Sequence, residues 1–217
     1  MSHFNHILAG VLSQSSGKVF PTDGLLAYFK FEEKAATTLV NDSFGPYNAY
    51  ANVFTQTISD ISGKNNRGFF PTGTQRITLP SDIALISFSG WINFKLVSST
   101  GYFLGSTTQG VRYNGTDFLI YNGTAGFTVV PWMIQDKLVH FVCNKINARE
   151  YDIYIDGEKI GTSTHGGSDN IIYIRYLFSR AASFYFAGLT DEFAFWNRAL
   201  TVTEIATIYN NGQGVFL

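Results

Sequence analysis

Carboxylates are the first residues to ask for chemistry. A retaining glycosidase holds two carboxyl groups about 5 to 5.5 Å apart, and a β-strand can present such a pair because alternate residues share a face. The segment Glu150-Tyr151-Asp152-Ile153-Tyr154-Ile155-Asp156 puts Glu150, Asp152 and Asp156 on one face. Asp156 precedes Gly157 and belongs to a turn, however, so these acids read as a polar outer face and no catalysis is expected. No Gly-x-Ser-x-Gly, His-Glu-x-x-His or phosphate-cradling loop occurs. Of His3, His6, His140 and His165, only the first two stand close enough in sequence to suggest a metal, and zinc there would want further ligands.

Aromatic rings beside amides suggest a second chemistry, the binding of sugars. The stretch Phe44-Gly45-Pro46-Tyr47-Asn48-Ala49-Tyr50-Ala51-Asn52-Val53-Phe54 has both, and Tyr47, Asn48 and Tyr50 are its candidate ligand-binding residues. A chain with 20 Phe, 12 Tyr and 3 Trp also places rings in loops by chance.

Composition limits the partners. Charged residues make up 14% of the 217 residues and the net charge is −1, which leaves no electrostatic footprint for nucleic acid. No apolar run approaches the ~18 residues of a membrane span. The single Cys143 excludes an intrachain disulfide; its neighbours Leu138-Val139-His140-Phe141-Val142 read as a strand, so a buried inert thiol is expected. No Lys or Arg precedes Lys18, and no signal peptide is expected.

The elements that must carry these residues are mostly short strands. Leu26 to Phe31 is one. Ile83 to Phe94 alternates, with Ile86, Phe88, Gly90, Ile92 and Phe94 on one face and Ser87, Ser89, Trp91 and Asn93 on the other. Asn114-Gly115, Asn122-Gly123 and Asp156-Gly157 are hairpin signals, because both central residues of the favoured turn need positive φ. Strands with turn signals every 8 to 12 residues argue for a sandwich or barrel. Near the C-terminus, Thr201 and Glu204 form a capping box, Leu200 and Ile205 a hydrophobic staple, Ile205, Ile208 and Tyr209 a buried stripe, and Gly212 a stop.

These features fall in an order that resembles the laminin-G-like, concanavalin A-like lectin/glucanase jelly rolls. Gly24-Leu25-Leu26-Ala27-Tyr28-Phe29-Lys30-Phe31-Glu32 is similar to their first strand, Asp42-Ser43-Phe44-Gly45 to the turn after it, Phe88-Ser89-Gly90-Trp91-Ile92 to the central strand and Tyr154-Ile155-Asp156-Gly157 to a hairpin. Gly188-Leu189-Thr190-Asp191-Glu192-Phe193-Ala194-Phe195-Trp196-Asn197-Arg198-Ala199-Leu200-Thr201 resembles the closing segment. The resemblance implies an all-β, two-sheet antiparallel jelly-roll sandwich over residues 24–217, with one short C-terminal helix and an N-terminal arm and linker over 1–23. Its laminarinase-type members carry Glu-x-Asp-x-x-Glu, which Glu150 does not complete because Ile155 stands where the second glutamate would. Many members hold a structural calcium ion, and the resemblance places Asp42 and Asp191 at it. The sequence departs from the family after the turn, at Pro46-Tyr47-Asn48-Ala49-Tyr50, and the two aspartates read equally as a turn cap and a strand-end acceptor.

The first 20 residues lie outside the resemblance. Phe4, Ile7, Leu8, Val11 and Leu12 follow the spacing of one helical face. This stripe either folds back on the domain or docks on a neighbouring subunit. The docking alternative makes the chain a non-catalytic component of a larger particle such as a phage virion, with host glycans as further partners. The other expectation is a carbohydrate-binding or adhesion module of a bacterial surface or secreted protein, and a glycan-active hydrolase is the competing class. The corresponding locations are the virion surface or the extracellular space.

Overall fold

The computed structural model describes residues 17–55, 59–60, 63–94, 101–123, 127–133, 136–166 and 171–217. The apolar stripe between Phe4 and Leu12 lies outside them. Two antiparallel eight-stranded sheets make an all-β sandwich. Numbered in chain order, sheet A contains β1 (Leu25–Phe29), β4 (Ser59–Asp60), β5 (Gly68–Phe69), β7 (Ser87–Asn93), β12 (Val139–Lys145), β13 (Glu150–Ile155), β14 (Glu158–Thr164) and β16 (Leu189–Trp196). Its order is β14-β13-β12-β7-β16-β5-β4, with β1 also pairing β16. Sheet B contains β2 (Leu39–Val40), β3 (Ala49–Ala51), β6 (Ile77–Ala84), β8 (Gly101–Gly105), β9 (Gly110–Tyr113), β10 (Asp117–Tyr121), β11 (Val130–Pro131) and β15 (Tyr173–Leu177), in the order β11-β10-β9-β8-β15-β6-β3-β2.

The two sheets bury their facing sides against each other. Phe29, Phe69, Phe88, Phe103, Phe118, Phe141, Phe193 and Phe195 belong to this main core. Phe94 sits at its densest point, with six aromatic rings at centroid distances from 5.0 to 6.3 Å. The alternation of β7 is as expected: Phe88, Ile92 and Phe94 enter this core, while Trp91 points the other way onto Tyr209. Gly90 is required on the inner side, because a Cβ there would meet the Phe193 ring at 2.5 Å.

A second, smaller core covers the outer face of sheet A. Phe20, Leu25, Tyr28, Val142, Tyr154, Trp196, Leu200, Ile205 and Ile208 form it, with Val215 and Leu217 against its edge. Helix α1 (Val202–Tyr209) lies over this face. Its capping box forms as expected, with Thr201 Oγ1 accepting from the Glu204 N–H and the Glu204 carboxylate accepting from the Thr201 N–H. The helix stops before Gly212, with Asn210 as its C-cap in the left-handed conformation at φ 48°. Asn144 fastens the approach to the helix, since its side chain bonds both the N–H and the C=O of Leu200.

Residues assigned to the linker by sequence are part of this packing. Phe20 is buried against Tyr28 and Trp196, the Trp196 indole N–H donates to the Pro21 carbonyl at 2.9 Å, and Arg198 pairs with Asp23 at 2.8 Å. The boundary drawn at residue 23 therefore falls inside a packed segment.

Two hairpins show how local chemistry sets a turn. Asp156 and Gly157 have φ of 52° and 82° and form the two-residue loop their sequence predicts. Asn114-Gly115 instead belongs to a four-residue loop between Tyr113 and Phe118. Only Gly115 has positive φ there; the Asn114 side-chain Oδ1 accepts from the N–H groups of Thr116 and Asp117 at 3.0 and 2.9 Å. No helix among the described residues is long and apolar enough to cross a membrane.

Candidate functional site

Of the loop residues singled out for sugar binding, Tyr47 and Asn48 bond to Asp42 and Tyr50 lies on a strand. Tyr47 is half-buried against the main core and its N–H donates to Asp42 at 3.0 Å. Asn48 accepts the Asp42 N–H at 2.8 Å. Both therefore shape the turn. Tyr50 faces solvent from the middle of β3, opposite Thr78.

Asp42 is the centre of that turn. One carboxylate oxygen accepts the N–H groups of Tyr28 and Phe44, and the other accepts that of Tyr47, at 2.9 to 3.0 Å. Asp191 accepts two further N–H groups, from Asn65 and from Glu192, at 2.9 Å each. Glu192 follows at a bulge in β16 with φ 54°, and takes the Tyr28 hydroxyl and the Asn65 amide on its two oxygens. Burial pushes the Asp191 and Glu192 carboxyl groups above the usual carboxylate range. Calcium takes six to eight oxygens. Here the oxygens of both candidate aspartates are turned to N–H donors, and no three His, Cys, Asp or Glu side chains converge as a metal-holding group among the described residues. This donor set does not fit the ion.

The acidic strand is likewise engaged. Asp152 pairs with Lys159 at 2.7 Å, Asp156 pairs with Lys137 at 2.9 Å and accepts the His140 N–H, and Glu150 accepts from Asn147. His140 is fully buried, with Nε2 on the Ser89 hydroxyl at 2.7 Å; burial lowers its pKa to about 3. The Cys143 thiol is buried, and burial pushes it up.

A pocket that the sequence did not reveal lies on the outer face of sheet B. It has a volume of about 230 Å³ and is lined by Tyr102, Arg112, Leu119, Tyr121, Phe127, Arg180 and Phe184. Strand register builds its floor from two rows. Tyr102, Arg112 and Leu119 stand side by side across β8, β9 and β10, and the next outward row is Gly105, Gly110 and Tyr121. Gly105 lets the Ser179-Arg180 backbone close onto the strand, since a Cβ there would stand 2.3 Å from the Ser179 carbonyl oxygen. A Cβ on Gly110 would stand 2.8 Å from the Tyr102 ring.

The wall is the segment between β15 and β16. It is laced to β8 by the N–H of Phe178 to Phe103, of Tyr102 to Phe184 and of Ala181 to the Ser106 carbonyl just beyond the strand, at 2.9 to 3.0 Å. Phe178, Ala181 and Phe184 all have positive φ, at 68°, 55° and 51°. Conformations that side chains avoid persist where the surroundings over-determine them, and they concentrate at working sites. Here they turn Arg180 and Phe184 over the floor. The Arg180 guanidinium lies 4.9, 5.4 and 4.5 Å from the ring centres of Tyr102, Tyr121 and Phe184. Phe127 meets Tyr121 edge-on at 6.2 Å.

This arrangement offers ring faces and guanidinium donors. Among the described residues no carboxylate lines it. Each lining residue carries only the signal of an outward position on a strand or loop. A sequence reading could have found the glycine row opposite Tyr121 only with the register already known.

The family model described as the Concanavalin A-like lectin/glucanases superfamily matches residues 69–206. Among curated proteins none matches this chain. Solved structures share the fold at low identity. Domain 4 of AbnA, a GH43 extracellular arabinanase from Geobacillus stearothermophilus solved with arabinotriose, is 18% identical with a TM-score of 0.65, over 88% of this chain and 98% of that one. Trypanosoma rangeli sialidase is 16% identical with a TM-score of 0.61, over 90% of this chain and 34% of that one. The binding domain of Paraclostridial Mosquitocidal Protein 1 is 15% identical with a TM-score of 0.60, over 88% and 52%. The chain thus spans about a third of the sialidase and half of the mosquitocidal binding domain.

Proposed function

Because the chain belongs to the Concanavalin A-like lectin/glucanases superfamily, and that fold alone hosts many functions, we propose from its pocket that it is a non-catalytic carbohydrate-binding module. The observation that carries this is the hollow on sheet B, where Tyr121, Phe127 and Phe184 offer ring surfaces around guanidinium donors, with no carboxylate in the lining among the described residues. Sugars present one apolar face and a rim of hydroxyls, which such a site matches with stacking and a few placed polar groups. The arabinanase domain solved with arabinotriose supports the reading as a likeness of fold. Assembly into a virion rests on the stripe Phe4, Ile7, Leu8, Val11 and Leu12, and the described residues add nothing to it.

A glycan array probed with the purified chain tests this. Binding to at least one glycan class is expected, and Tyr121→Ala and Phe184→Ala should each weaken it about tenfold without lowering the melting temperature. Binding that ignores both changes would move the site elsewhere. Release of reducing ends from the bound glycan, abolished in Glu150→Gln, would make the chain a hydrolase.

A further inference from the structure

We propose that the sugar taken by this pocket is acidic, and that Arg112 and Arg180 receive its carboxylate. This rests on the glycan-binding reading above and specifies its ligand. Arg112 stands in the middle of the floor, flanked in register by Tyr102 and Leu119. Its Nε is buried and has no hydrogen-bond partner. A buried guanidinium N–H without an acceptor is costly, and buried polar groups left unsatisfied call for an explanation. Among the described residues no carboxylate forms an ion pair with Arg112 or Arg180. Two positive charges therefore share one small hollow without a counter-charge.

The arrangement of Arg180 says what kind of anion fits. Its plane is fixed by three rings and by a hydrogen bond from its Nη1 to the Tyr102 hydroxyl at 3.3 Å. A guanidinium immobilised in this way loses little freedom when it binds, and its fork matches a planar carboxylate with two parallel hydrogen bonds. Burial pushes the Tyr102 hydroxyl above its ordinary pKa, which leaves it protonated. The apolar part of the wall, Phe127 and Phe184, is half-exposed and free to cover a ring face. The volume of about 230 Å³ lies below the roughly 300 to 1,000 Å³ of pockets for drug-sized ligands. One acidic pyranose residue, internal or terminal in a chain, meets all three demands.

The experiment is a glycan array at low salt, followed by calorimetry with the best-bound acidic glycan and with the same glycan after its carboxyl groups are reduced to primary alcohols. The acidic form is expected to bind at least about tenfold more tightly than the reduced form, the value of one charge-assisted contact. Raised salt should narrow the gap, since exposed charge is screened. Arg112→Met should erase the preference while keeping residual binding to the reduced glycan, and Phe127→Ala, which removes a ring that does not hold Arg180, should weaken both forms alike. Equal binding of the two forms, or a preference that survives Arg112→Met, overturns the acidic ligand but leaves a glycan-binding pocket. Binding only to sulfated neutral sugars overturns the carboxylate. An array with no bound glycan of any class overturns the glycan-binding reading itself.

Discussion

Asp42 gathers three backbone N–H groups onto one carboxylate and so decides the path of the chain from β1 into the first long loop. Asp42→Ala should cost about 1 to 3 kcal/mol, because three donors lose their acceptor together. Chemical denaturation run with calcium and again with a chelator should show the same loss in both. A loss present only with calcium would place a cation at this carboxylate. His140 makes a second prediction at this scale. Its imidazole is held neutral by burial, with a folded pKa of about 3 against an ordinary 6.5. The unfolded chain therefore binds the extra proton first, and stability should fall as pH drops below about 6.5. Proton NMR should find no His140 midpoint between pH 5 and 8, and His140→Leu should flatten that part of the stability curve. A midpoint near 6.5 would mean the ring is wet.

Helix α1 is the element whose design can be tested directly. Thr201→Ala should lower stability by about 1 kcal/mol through loss of the N-cap; no change beyond about 0.2 kcal/mol would show that the cap is idle. Glu204 is gripped by Arg198 at 2.5 Å as well as by the cap. The hydrogen bonds from Arg198 are the largest cause of its pKa falling to about 2. That stability is present above the ordinary carboxylate value near 4.5 and is lost as pH falls toward 2. Glu204→Gln should therefore remove part of the stability above pH 5 and flatten the acid limb between about 4.5 and 2, as read by urea denaturation. This element was legible in the sequence because a capping box acts within three residues. So was the Asp156-Gly157 turn. The Asn114 turn was not, because its side chain competes for the same backbone donors that a tight turn would use.

The described residues make three layers, with two cores unequal in size. The alternation along β7 foretold the larger one, since one face is Phe and Ile; Trp91 on the other face stacks on Tyr209. What it could not foretell is where the second core begins. Phe20 joins it from a segment that reads as a linker, and its contacts, Tyr28 and Trp196, are 8 and 176 residues away. Phe20→Ala is expected to cost about 3 kcal/mol, as for other large-to-small core changes; thermal unfolding with no shift would show that Phe20 only rests on the surface. The pocket was hidden for the same reason. Tyr102, Arg112, Tyr121 and Arg180 are meaningless as a string and become a site only through the register of three strands and one strained loop.

The second core also settles which way the pocket looks. Lys18 to Asp23 and Leu200 to Leu217 both pack on the outer side of sheet A, while Tyr102, Arg112 and Tyr121 open from the outer side of sheet B. Anything tethered through the last residue, whether a sensor chip, a bead or a fused protein, attaches at the back of the molecule. The domain is thereby pre-aimed, and many copies anchored by that end would present their pockets in one common outward direction.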